Sequence, residues 1–184
     1  MSAAPSSPSP STWPGTVDAA RQGWLSARMG TVLGGMRNVR WHELQHAYGS
    51  ASQVPGMLSR VAWGDGPTAG DALGELARWI GAPAAFDGTV AAVPFLWELA
   101  GTETVKDRAG VLGLLTTILA AGHTERPEWA RAAHEAVAEG RPTAVRLTAG
   151  TSPPPHADPV REAATRLLTA LDGHSCPACP PRTA

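Results

Sequence analysis

Apolar residues recur along this chain at three- and four-residue spacing and almost never alternate, which predicts helices and essentially no sheet. The pattern is cleanest over 159–171, where Val160, Ala163, Ala164, Leu167, Leu168 and Leu171 make one stripe. Asp158 and Pro159 supply a cap and a first-turn proline there, and Gly173 a stop. Val54, Met57, Leu58, Val61 and Ala62 predict a helix behind Ser52. Leu73, Leu76, Ala77 and Ile80 predict another behind Thr68, with Asp71 three residues on, close to a capping box. Val105, Ala109, Leu112, Leu115 and Leu119 lie between Thr104 and Gly122, and Trp129, Ala132, Ala133, Ala136 and Val137 between Thr124 and Gly140. Val17 to Met36 offers Ala20, Trp24, Ala27 and Val32 as a further apolar face. The expected core includes Leu58, Leu76, Leu96, Leu112, Leu115, Leu119, Leu167 and Leu168.

These helices repeat. Val54-Pro55-Gly56-Met57-Leu58 resembles Val93-Pro94-Phe95-Leu96, and the step from Pro55 to Leu76 equals that from Pro94 to Leu115. A third copy, from Thr143 to Leu171, carries a longer loop through Pro153-Pro154-Pro155-His156. Two helices per unit and a period near 40 residues are the signature of HEAT or armadillo solenoids. The reading is therefore all-α, an α-α superhelix of about three helix pairs, with Pro94 kinking the helix that holds it.

Composition sharpens the boundaries. Residues 1–16 are Pro/Ser-rich with one large apolar side chain, Trp13, and are expected to be disordered. An N-terminal helix over 17–40, a repeat domain over 41–173 and a flexible tail over 174–184 complete the expected division, with 1–15 and 176–184 dispensable for folding. Hydrophobic content is 43% with 17% charged residues, enough for a sizeable core. Net charge is −1, which argues against nucleic acid as partner. Charge is uneven, with five Arg against Asp18 and Glu43 over 17–60 and seven acids against Arg78 and Lys106 over 61–107. Solvated helix faces produce such asymmetry as readily as partner choice does. The longest apolar run, Val111 to Ala121, is broken by Gly113, Thr116 and Thr117 and falls short of the roughly 18 residues a membrane span needs. No basic and apolar secretory leader opens the chain, so a cytoplasmic location is expected.

Trp41-His42-Glu43-Leu44-Gln45-His46-Ala47-Tyr48-Gly49, then Val54-Pro55, then Asp87-Gly88-Thr89 with Ala92-Val93-Pro94-Phe95-Leu96, resembles a bacterial group of PBS-lyase-HEAT-like repeat proteins. The resemblance covers residues 41–172. Members carry a His-Gln pair before the glycine equated with Gly88, where this chain has Phe86-Asp87. It implies a superhelix with a binding or scaffold role, and marks Trp41, His46, Tyr48 and Gly49 as binding candidates.

Two strings carry candidate chemistry. His42-Glu43-Leu44-Gln45-His46 is an HExxH pattern, which on a helix sets two imidazoles one turn apart for zinc with Glu as base. The third histidine of the extended pattern falls at Ser52, and no strands surround the motif, so a polar helix face with His46 packing beside Tyr48 is preferred. His174-Ser175-Cys176-Pro177-Ala178-Cys179 offers three soft ligands where structural zinc wants four. A second chain or His156 could complete it, but a loose tail with ordinary thiols is preferred. Of the seven tryptophans, Trp79 and Trp97 are expected in the core, and Trp63 and Trp129 near helix ends.

The expected function is a non-catalytic scaffold for a protein partner, of adaptor or immunity-inhibitor type, with no cofactor and no metal. The alternatives are a zinc hydrolase using His42, Glu43 and His46, and a HEAT-like nucleic-acid enzyme.

Overall fold

The computed structural model describes residues 33–81, 83–123, 126–149 and 158–179. The expectations for 1–32, for His156 and for 180–184 fall on residues outside them. Within the described residues the chain is mostly helical, as the spacing predicts. Short 3-10 turns over Gly34–Asn38 and Trp41–Glu43 lead into a small antiparallel hairpin, β1 (Gln45–His46) and β2 (Gly49–Ser50). Then come α1 (Val54–Trp63), α2 (Gly66–Leu76), α3 (Asp87–Gly101), α4 (Arg108–Ala120), α5 (Pro127–Glu139), α6 (Arg141–Thr148) and α7 (Pro159–Asp172). None is long and apolar enough to cross a membrane.

The helix starts differ from the sequence reading wherever a better acceptor lies nearby. Asp65, rather than Thr68, caps α2 by accepting from the Thr68 N–H, so that helix begins earlier. Asp107, rather than Thr104, caps α4 through the Gly110 N–H. Ser50 caps the 3-10 turn before α1, where Ser52 was expected to cap the helix itself. Asp158 caps α7 as expected, accepting from Val160 and Arg161.

Helix α4 is apolar nearly all round, with Val111, Leu112, Leu114, Leu115, Ile118 and Leu119 buried, and so it takes the middle of the body. It packs most extensively against α7, then α3, and also meets α5 and the end of α2. Seven of the eight expected core leucines are buried and Leu168 is partly so. Pro94 stands inside α3. Because proline brings no N–H, one rung of that helix's ladder is missing there.

The hairpin, absent from the sequence reading, is clamped to α3. The Asp87 carboxylate accepts from the Gln45 N–H at 2.7 Å and from Gly88 N–H at 2.8 Å. Gly88 is required at this contact, since a Cβ there would lie 2.5 Å from the Gln45 carbonyl. A π-helical turn over Ala77–Gly81 presents two carbonyls outward. Trp79 O accepts from the Ala47 N–H, and Ile80 O from the buried Thr89 hydroxyl.

Candidate metal centre

The HExxH string does not form a metal-binding helix. His42 lies in a 3-10 turn and is exposed, whereas His46 lies in β1 and is buried, so they are not one α-helical turn apart. His46 Nδ1 accepts from the Tyr48 N–H at 3.0 Å, and its ring stacks on Trp79 with centroids 5.0 Å apart. Burial holds its pKa below the ordinary value, with the Ser50 backbone opposing. Trp41 is a core side chain, tilted against Phe95 and donating from Nε1 to the Met36 carbonyl. Gly49 provides the positive φ of the hairpin, 130°, and Tyr48 projects into solvent at its tip. These positions therefore have structural work in building and docking the hairpin.

The second string behaves differently from the loose tail expected of it. After α7, the segment from His174 to Cys179 folds back onto α5. Ala178 is buried, and its carbonyl accepts from Arg131 Nε at 2.8 Å. A turn closed by the Cys179 N–H on the Cys176 carbonyl, 3.1 Å, brings the two cysteines round to one side. Pro177 occupies the second position of this turn, where its fixed φ is already suitable.

The fourth group is His134. On α5 the buried stripe is Ala130, Ala133, His134 and Val137, so an imidazole takes a core slot one helical turn from Arg131. His134 Nδ1 lies 3.3 Å from Cys179 Sγ and 3.5 Å from Cys176 Sγ. His174 Nε2 lies 3.5 Å from Cys179 Sγ, and the two imidazoles meet edge to face at 4.6 Å. One ligand atom from each of His134, His174, Cys176 and Cys179 lies within 4.8 Å of every other.

Those distances can be compared with coordination geometry. A tetrahedral zinc ion, with bonds of about 2.3 Å to sulfur and about 2.0–2.1 Å to nitrogen, sets sulfur and nitrogen ligands about 3.6 Å apart. Thiol–imidazole hydrogen bonds could account for any single contact. They account poorly for one Nδ1 lone pair facing two sulfurs while one of those sulfurs also faces a second imidazole. Convergence on a common point is what a shared cation explains.

The electrostatics agree. Burial, then the neighbouring His174, lowers the pKa of His134, while the carbonyls of Ala121 and Ile118 at the end of α4 oppose the shift. Its neutral form, the one that ligates, is thereby favoured. Burial pushes the Cys179 thiol up to about 11, with Cys176 and Glu135 adding to it and Arg131 opposing. A divalent cation reverses that preference by stabilising the thiolate directly. Two thiolates, two neutral imidazoles and a dication sum to zero charge, which suits a half-buried position.

Sequence reasoning weighs His174, Cys176 and Cys179 as ligands but prefers a loose tail, and it misses His134, whose signal is an imidazole embedded in an alanine-rich helical stripe. Among the described residues this is the one group of three or more such side chains close enough to share an ion. No family model, curated protein or solved structure matches the chain, so assignment of the centre rests on its geometry.

Proposed function

We propose that the chain is a non-catalytic helical module stabilised by a zinc ion held by His134, His174, Cys176 and Cys179. The observation that carries this reading is the convergence of four ligand atoms within 4.8 Å of one another from two separate segments. Four protein ligands of Cys2His2 type make a closed set with no position left for substrate or water, the arrangement of structural rather than catalytic zinc. The ion joins the chain's end to α5 and, through the α5 contacts with α3 and α4, to the central core.

Around this centre we read the helices as HEAT-like pairs, α1 with α2, α3 with α4, and α6 with α7, with α5 set between the second and third. The equal step from Pro55 to Leu76 and from Pro94 to Leu115 supports this, with both leucines fully buried. So does the serial packing of second helices, α2 on α4 and α4 on α7. A stack of this kind offers an extended concave surface of the type repeat proteins bind with, and we assign it a protein partner.

Elemental analysis of protein purified under reducing conditions tests the metal reading. One zinc per chain is expected, lost in His134→Ala and Cys176→Ser and retained in His42→Ala and His46→Asn. Metal-free wild-type protein that also fails to bind added zinc would overturn it, as would zinc that depends on His42 or His46.

A further inference from the structure

We propose that Cys176 and Cys179 form a redox latch: a hydroperoxide oxidises them to a disulfide, the metal leaves, and residues 174–179 release from α5. This rests on the zinc reading above and adds a regulatory role to that centre.

The centre is asymmetric in the way such a latch requires. His134 is 3% exposed, whereas both cysteines are only partly buried, on the side of the centre nearer solvent. The i to i+3 turn between them keeps their Cα atoms within about 7 Å, overlapping the roughly 4.4–6.8 Å that disulfides span. Their sulfurs already lie within 4.8 Å. The chain has two cysteines only, so no other thiol competes for the partner.

The chemistry balances. One thiolate attacks an oxygen of hydrogen peroxide, forming S–O and breaking O–O, and the departing hydroxide takes a proton from solvent to become water. The second thiolate then attacks that sulfur, forming S–S and breaking S–O, and a second hydroxide leaves as water. The two sulfurs supply two electrons to the peroxide, and zinc departs with its oxidation state unchanged. A disulfide sulfur carries no negative charge and is a poor ligand, so two of four ligands are lost together. The Ala178 side chain, the Arg131 bond to its carbonyl, part of Cys176 and the His134–His174 ring contact remain, without the ion that joined them.

The test uses reduced, zinc-loaded, full-length protein treated with hydrogen peroxide. A chromogenic chelator reads released zinc, a thiol reagent counts free cysteines, and intact mass identifies the product. Expected are one zinc released per chain, both thiols lost, a mass lower by two hydrogens, and faster amide exchange confined to 174–179. Reductant and fresh zinc should restore the starting state. Zinc retained under a large excess of peroxide overturns the latch, as do sulfinic products, disulfide-linked dimers or a segment that stays protected after zinc is lost. Absence of zinc before peroxide is added counts instead against the metal centre itself, so the two failures are distinguishable.

Discussion

Gly140 joins α5 to α6, and the indole of Trp97 from α3 lies where its side chain would begin. An ideal Cβ there would be 2.0 Å from Cε2, 2.2 Å from Nε1 and 2.3 Å from Cδ2 of that ring. Carbon atoms at rest need about 3.5–4.0 Å, so Gly140→Ala demands a shift of more than 1 Å. The backbone there, φ −79° and ψ 0°, suits alanine, so the penalty is steric. Trp97 is 4% exposed and has no room to yield. Overpacking of this kind costs about 1–3 kcal/mol. Gly74 and Gly113 are the opposite case, exposed helical positions with nothing within 4 Å of the added atom. Alanine should stabilise each by about 0.5–1 kcal/mol through helix propensity. At about 2–4 °C per kcal/mol, Gly140→Ala should melt about 2–12 °C below wild type and Gly74→Ala about 1–4 °C above it. Far-ultraviolet circular dichroism during heating reads both. Trp97 Nε1 has no hydrogen-bond partner among the described residues, so Trp97→Leu removes mainly packing, and in that background the Gly140→Ala penalty should shrink. A Gly140→Ala protein as stable as its parent would refute the packing argument.

Three further outcomes are expected. In zinc buffers above the dissociation constant, each tenfold rise in free zinc should add about 1.4 kcal/mol, or about 3–6 °C of melting temperature; a flat response would exclude linkage between ion and fold. Asp87→Ala removes the acceptor for the Gln45 and Gly88 N–H groups and should cost about 1–2 kcal/mol, with hydrogen exchange rising in the hairpin; unchanged exchange there would count against the clamp. Burial lowers the His46 pKa from 6.5, so between those values the unfolded chain binds more protons and stability rises with pH. The His46 contribution is therefore complete above pH 6.5 and is lost on acidification, and His46→Asn should flatten this part of the profile in pH-dependent melts.

Much of the helical order is legible because burial imposes a period on side chains. Leu58, Leu76, Leu96, Leu112 and Leu115 could be placed inside from spacing alone, and all are fully buried. Helix starts were less legible, since several Ser, Thr and Asp residues compete to cap, and only the folded backbone shows which one reaches an N–H. Asp65 and Asp107 prevailed over Thr68 and Thr104 for that reason. The hairpin could not be read at all. Its strands are two residues each, too short for alternation, and it exists because Asp87, Trp79 and Gly88 of other elements receive it.

The proposed metal centre was hidden for a different reason. A ligand count along the tail stops at three, and nothing local distinguishes His134 from an ordinary histidine in an amphipathic helix. On the proposed reading the ion adds to what the Ala178 side chain, the Arg131 hydrogen bond, part of Cys176 and the His134–His174 ring contact supply. Accordingly, chelation should deprotect the amides of 174–179 while those of α5 and α4, anchored by Val137, Leu115 and Ile118, remain slow to exchange. Equal protection with and without chelator would mean that the segment holds itself, and the ion would lose its structural role.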